Sequence, residues 1–517
     1  MKTVSRFVQK FTSLIVCVLS CFDRVIFKGH LSLSRVKEVE KFIDSILKMR
    51  RVDFFKNRAP ALAQRLVQYA QKYAAQAGRP YEYRGNKFDK DKGAREILRK
   101  QPVVDGLICV FCTKERCPTF RLGRGDKRPQ VVPDFIPQRV LYFYFLDRDL
   151  GLIHVRLQTW LPYTLQIAVN GHDYLARQMA RKQLGFVQQD NAFTRLDEPA
   201  QAQRLADKFA KLKWPKRLQR YALQVNPLLH DVLKGLSYYW VTDQAEYATD
   251  LLFTNKKSLA GLFAKLLEYA VINFSAKDIL GFLGRKLHDR FEGEVLTDYK
   301  TEREPGGRIK HHMKKNWLKM YDKFGLILRI ETVINQPGEF TIYRECHHRD
   351  GTRSWGYFPM PKGVGNLHHY QRHALACNQR YLQALSVVDD PTPAYQELAK
   401  LTLATNTDKR SYAGFNPARL DDLRLFTAVL DGDQIAQGFR NKDIRKAFYR
   451  SDTDPKQIRR HSAAVGRLLK RLHLRHYVAK VTHTRRWKVT HRGRRVLGNA
   501  LAVYRRYWPE EFLRNAA

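Results

Sequence analysis

The chain has 517 residues, of which 44% are hydrophobic and 12% aromatic, so it can fill large buried cores and is not a disordered basic tail. It carries 93 Lys and Arg against 50 Asp and Glu, a net charge of +43 with a pI near 10.1. A cationic excess spread over the whole length points to a polyanion, with DNA or RNA ahead of a membrane surface.

In chain order, Lys2, Arg6 and Lys10 precede the apolar run 11–22, which has the outline of a short export signal. The run passes straight into Asp23-Arg-Val-Ile-Phe27, however, and reads as a buried helix–strand element. No stretch approaches membrane-spanning length, so no membrane partner is expected. Seven cysteines at irregular positions (17, 21, 109, 112, 117, 346 and 377) suggest a reduced compartment, a bacterial cytoplasm with the protein on the nucleoid. Ser34 is placed to cap a helix carrying Val36, Val39, Phe42, Ile43 and Ile46, and residues 60–77 form a second helix. Residues 107–111, and a hairpin of 140–145 with 151–159, join 25–27 in a mixed sheet, giving an α+β domain over 1–165.

Residues 166–288 read as a helical region, with helices at 170–183, 199–213, 216–233, 243–253, 256–271 and 276–288. Residues 289–388 alternate with period two around turns at 305–307 and 324–325. They predict an antiparallel sheet with one basic face, followed by a helix over 367–385. Residues 389–420, rich in Pro, Asp, Thr and Gly, read as a linker, and 421–517 as a last domain.

That last domain holds the clearest pattern. Between Lys456 and Arg506 there are sixteen Lys and Arg and no acid, yet Ile458, Val465, Leu468, Leu469 and Leu472 recur at helical spacing. Two β-prone runs, 477–481 and 487–490, flank the basic tip 482–486, and Thr490 can cap a following helix. Helix, turn, basic helix, hairpin and the Thr-x-x-Gly-Arg step of residues 490–494 resemble the winged-helix module of bacterial regulators, over roughly 420–503. The resemblance implies a second helix in the major groove, with Arg459, Arg460, Arg467, Lys470 and Arg471 toward DNA, and Arg485 and Arg486 at the wing. The alternative is a winged helix that makes only protein contacts.

Three groups suggest chemistry. Tyr321-Asp322-Lys323 followed by Leu328-Arg329-Ile330-Glu331 resembles the rolling-circle replication initiators of plasmids and phages. The resemblance covers about 305–335 and implies Tyr321 or another nearby tyrosine as nucleophile, Glu331 as a metal or phosphate-site carboxylate and Lys323 as a charge stabiliser. The family's pair of metal-binding histidines flanking one apolar residue is missing; His154-Val-Arg156 and the adjacent His311-His312 are the nearest approaches. The same strands read equally as a phosphate-binding face of Lys310, Lys319, Lys323 and Arg329. Second, Asp23, Asp147 and Asp149, with Glu246 and Asp250 one helical turn apart, can form a Mg²⁺ or Mn²⁺ site such as ribonuclease-H-like transposases use; Asp147-Arg-Asp149 is equally a polar turn. Third, Cys109, Cys112, Cys117 and His154 have partial zinc spacing, although the first two lie in an apolar strand.

Asn170-Gly-His172 can open a helix onto a phosphate. Aromatic rings lie among basic residues at Tyr81, Tyr83 and Phe88, at Tyr238, Tyr239 and Trp240, and at Trp355, Tyr357 and Phe358, where exposed rings can stack on bases. Neither a phosphate-cradling P-loop nor a Gly-x-Ser-x-Gly elbow occurs. The expected function is nucleic-acid binding by a mobile-element or plasmid protein, on DNA or a structured RNA. Its alternative is a metal-dependent nicking or strand-transfer enzyme.

Overall fold

The computed structural model describes residues 6–125, 129–285, 293–300, 307–348, 350–388, 394–407, 410–432, 438–449 and 454–507. Two compact units share the chain, and neither is one continuous stretch. One unit is Cys17–Asp250 with Glu331–Leu375; the other is Met1–Val16, Leu251–Ile330 and Ala376–Ala517. The sequence reading instead put boundaries at 165, 288, 388 and 420.

The first unit is α+β, built on a large mixed sheet. Its strands are β1 (Ile15–His30, from Cys17), β2 (Tyr81–Tyr83), β3 (Gly106–Gly123), β4 (Gln130–Asp147), β5 (Gly151–Gln158) and β6 (Leu165–Asn170). A side hairpin, β7 (Phe186–Gln189) and β8 (Ala192–Leu196), follows, and then β9 (Tyr239–Phe253, up to Asp250). The order is β9-β1-β6-β5-β4-β3-β2, with β1 to β3 antiparallel in succession and β2 parallel to β3. Leu62, Leu66, Ala70 and Ala74 form the buried stripe of the helix Ala59–Gln76. Phe27 of β1 packs on Trp214 with ring centroids 4.6 Å apart.

The expected helical middle is therefore wrong in part, because β6 to β9 fall inside it. The largest miss is 243–253, which is strand. Every residue from Ala245 to Phe253 is buried, including Glu246, Thr249 and Asp250, so no water-facing side is left to set a period of two.

In the second unit β10 (Val295–Lys300), β11 (Arg308–Met313), β12 (Asn316–Lys323) and β13 (Ile327–Ile334, up to Ile330) lie in that order, the first three antiparallel. In β11, Ile309, His311 and Met313 are buried while Arg308, Lys310 and His312 stand on the other face. His311 lies between the Thr297 hydroxyl (2.9 Å) and the Tyr381 hydroxyl (3.0 Å). The predicted turn residues 305 and 306, and the end of the helix predicted over 276–288, lie outside the described residues.

Toward the C-terminus come the helix Leu420–Gly432, the short strand Phe439–Arg440, the helices Asn441–Phe448 and Pro455–Leu474, the strands Val478–Lys480 and Arg486–Val489, and the helix His491–Tyr507. Arg486–Val489 is the middle strand of a three-stranded sheet. Phe426, Val429, Ile444, Val465, Leu469, Leu472 and Val489 share one core. Thr490 caps the last helix, its Oγ accepting from the Gly493 amide at 2.9 Å. The expected linker 389–420 is partly folded: Leu401 and Phe415 belong to the same core, which its Pro- and Thr-rich composition hides. Residues 389–393 and 408–409 are outside the described set. Among the described residues no single helix is long and apolar enough to cross a membrane.

Candidate metal centre

Three neighbouring strands of the first unit each bring one carboxylate to a common point: Asp23 from β1, Glu246 from β9, and Glu331, which opens the part of β13 lying in this unit. Their ligand oxygens all lie within 4.8 Å of one another, and the residues are 6%, 7% and 1% exposed. Among the described residues this is the one group of His, Cys, Asp and Glu with metal-ligand spacing. Such crowding is expensive for like charges in a poorly hydrated place, and hard oxygen donors suit Mg²⁺ or Mn²⁺. The donor set therefore fits a divalent cation.

The supporting groups come from local sequence features. Arg24 donates to Glu246 at 2.9 Å, and Gln244 donates to the same oxygen at 2.7 Å. Asn191, in the turn between β7 and β8, donates to Asp23 at 2.7 Å. His172 lies between two carboxylates, with Nδ1 3.1 Å from Asp23 and Nε2 3.6 Å from Asp250, and Cys21 Sγ 3.3 Å away. Burial opposes protonation of this imidazole, but Cys21, Asp23 and Asp250 outweigh it and hold its pKa well above the ordinary value. Gly171 makes the arrangement possible: a Cβ there would lie 2.1 Å from the Phe22 carbonyl oxygen, so only glycine lets the helix Gly171–Arg181 approach β1 this closely. Asn170 Oδ1 accepts from the His172 and Asp173 amides, so the helix start is closed by its own cap and does not await a phosphate.

A cleft of about 610 Å³ borders this site, lined in part by Asn170 and Asn191 and by Lys92, Arg95 and Arg99 of the helix Lys90–Lys100. Those three cations are exposed and spaced for one helix face. Two carboxylates in the same cleft are engaged: Asp89 caps the helix through the Lys92 amide, and Asp91 accepts from Tyr144 at 2.6 Å.

Asp23 and Glu331, which the sequence put in different groups, thus stand together with Glu246. Asp250 joins through His172, and the Glu246–Asp250 pair sits on a strand, not a helix. Asp147 and Asp149 do not take part. Asp147 accepts from Arg220 at 2.8 Å, from Tyr221 and from the amides of Asp149 and Leu150; Asp149 accepts from Arg217 at 2.9 Å and Arg181 at 2.7 Å. They stabilise the β4–β5 turn, as a polar turn should. Tyr321 and Lys323 of β12 are 8% and 9% exposed and Arg329 of β13 is 0% exposed, and none of the three belongs to the carboxylate group. Lys310 and Lys319 are more accessible, face each other across β11 and β12, and Lys310 stands 3.9 Å over the Trp317 ring. Burial and the facing Lys319 push the Lys310 pKa below its usual value.

The cysteine group is no zinc site. Among the described residues Cys109, Cys112, Cys117 and His154 do not gather at metal-ligand spacing, and Cys117 instead accepts from Arg156 at 3.2 Å. In the C-terminal region Arg459, Arg460, Arg467 and Lys470 are exposed along one helix, and Arg485 is exposed at the hairpin tip. Arg471 instead donates to the Ala413 and Gly414 carbonyls and lies 4.2 Å over Phe415, while Arg486 donates to the Gly438 carbonyl at 2.8 Å. Both are committed to holding the fold. Sequence reasoning missed Arg24, Asn191 and the bridging role of His172; the Asn-Gly-His string marked the place but not the purpose. Comparison with known proteins finds no matching family model, no similar curated protein and no similar solved structure.

Proposed function

We propose that the protein binds nucleic acid and cleaves or transfers its phosphodiester strands at a divalent-cation centre of Asp23, Glu246 and Glu331, as a mobile-element nuclease or transposase would. The observation that carries this reading is the convergence of three buried carboxylates from adjacent strands within 4.8 Å. A cation held there supplies Lewis-acid charge to a phosphoryl oxygen. The chain's own groups supply the rest. Asn191 and His172 fix the orientation of Asp23, and Gln244 and Arg24 fix that of Glu246. Arg24, with half its side chain exposed, can also meet a phosphate oxygen. Lys92, Arg95 and Arg99 offer a path for the backbone up to Asn191.

The C-terminal region supports duplex binding as a winged helix: its helix–strand–helix–helix–hairpin order and three-stranded sheet suit that module, with Arg459, Arg460, Arg467 and Lys470 on the long helix and Arg485 at the tip. The facing pair Lys310 and Lys319 favours an anion over β11 and β12, since like charges directly opposed repel. A second reading, binding without chemistry, draws on the same basic surfaces and leaves the carboxylates as a structural cation site.

Incubating the full chain with supercoiled, duplex and single-stranded substrates, with and without Mg²⁺ or Mn²⁺, separates the two. Cation-dependent cleavage lost in Glu331→Gln supports the enzyme. Binding with no cleavage on any substrate leaves only the second reading.

A further inference from the structure

We propose that the hairpin of β14 (Thr341–His347) and β15 (Arg353–Pro359) is a stacking platform for the unpaired bases of a single-stranded nucleic acid. This rests on the reading that the chain binds nucleic acid but not on the metal centre. The strands pair antiparallel, Tyr343 facing Tyr357 and Glu345 facing Trp355, so alternate residues point to one side. On that side Tyr343, Trp355 and Tyr357 are 57%, 65% and 76% exposed. Their rings adjoin, with centroids 5.8 Å (Tyr343 to Trp355) and 5.5 Å (Tyr343 to Tyr357) apart.

These rings do not hold the hairpin in place. Its base is anchored by fully buried Phe340, which packs 4.3 Å from His373 and whose carbonyl accepts from the Met360 amide at 2.8 Å. Its reverse side is covered by Arg344, which lies 5.5 Å over Phe358 and donates to the Pro359 carbonyl. Three large aromatic side chains gathered in water on a two-stranded ribbon form an apolar patch of the kind that marks an interaction surface.

Charge selects the occupant. Over residues 340–362 the sequence has four cations to two acids, of which Arg344 serves the reverse side while Glu345 shares the ring side with Trp355. Exposed Arg353 opens β15, and exposed Lys362 lies three residues past its last residue, Pro359. A fourth ring, Tyr239, is 66% exposed, and its hydroxyl lies 3.8 Å from where a Cβ on Gly363 would be, beside Lys362. Flat faces for bases with cations nearby suit an unpaired strand, whereas the stacked bases of a duplex have no free faces to offer.

The test compares the full chain with Tyr343→Ser/Trp355→Ser/Tyr357→Ser, measuring anisotropy of labelled dT and U oligonucleotides and of a duplex of equal length. The variant is expected to melt as the parent does and to lose on the order of 10-fold in single-strand affinity per ring removed, with duplex affinity nearly unchanged. Single-strand affinity unaltered by the substitutions, or an equal loss on both polymers, overturns the platform alone. So does ring-dependent dimerisation, or ring-dependent binding to neutral lipid vesicles with no effect on oligonucleotides. A parent chain that binds neither polymer overturns the nucleic-acid reading and the platform together.

Discussion

Gly171→Ala is the most informative single substitution, because two effects of opposite sign compete and their magnitudes differ. In a helix, alanine is favoured over glycine by about 1 kcal/mol. Here, however, the added carbon would lie 2.1 Å from the Phe22 carbonyl oxygen, 2.8 Å from its carbon and 2.9 Å from Phe22 Cβ. Real contacts essentially never fall under 3.0 Å, so the helix start must retreat from β1 by on the order of 1 Å. Overpacking against rigid backbone costs roughly 1–3 kcal/mol, at the upper end where nothing flexible can yield. The net expectation is destabilisation, with His172 displaced from Asp23. Gly261, in the helix Lys256–Asn273, is the matched control: nothing lies within 4 Å of its Cβ position, so Gly261→Ala should gain about 0.5–1 kcal/mol. Urea midpoints and thermal melts of the three proteins measure both. A Gly171→Ala protein as stable as its parent would refute the close approach on which the His172 placement depends.

Three further outcomes are expected. Saturating Mn²⁺ at 100 times its Kd should stabilise the parent by about 2.7 kcal/mol, with no effect on Asp23→Asn or Glu331→Gln, read by melting with and without the ion. Acid should weaken the fold through His311, whose pKa burial, with nearby His312, pushes down to about 3. The unfolded chain takes a proton below about 6.5 that the folded chain refuses, so this contribution is intact above 6.5 and is lost at about 1.4 kcal/mol per pH unit as pH falls toward 3. His311→Gln should flatten that part of the stability–pH profile. Finally, Arg459→Ala/Arg460→Ala should lower the salt slope of duplex binding by about 2, while Arg471→Ala should leave the slope alone and lower the melting temperature.

The parts legible in the sequence were those where one face meets water. The alternation of β11, the stripe of the helix Ala59–Gln76 and the capped, basic C-terminal helices all carry a polar side that sets the period. What was hidden is what packs on both sides. β9 reads as a helix because Tyr247, Ala248, Leu251 and Leu252 satisfy either period once both faces are buried. The sequence groups Glu246 with Asp23, 223 positions away, but leaves Glu331, 85 positions further on, with a different set of strands. The basic arginines show the complementary problem. Arg471 and Arg329 look like phosphate ligands in sequence, yet one grips the carbonyls of a neighbouring loop and the other is wholly buried. Charge type is visible in a sequence; what the charge already touches is not.

The most direct measurement of the metal centre is a Mn²⁺ titration of the full chain followed by electron paramagnetic resonance, beside Asp23→Asn, Glu246→Gln and Glu331→Gln. Tight binding in the parent, lost in each of the three variants but kept in Asp147→Asn and Asp149→Asn, is expected from the geometry. Free-ion signal at every protein concentration, or binding that survives removal of any one of the three carboxylates, would contradict a cation centre there.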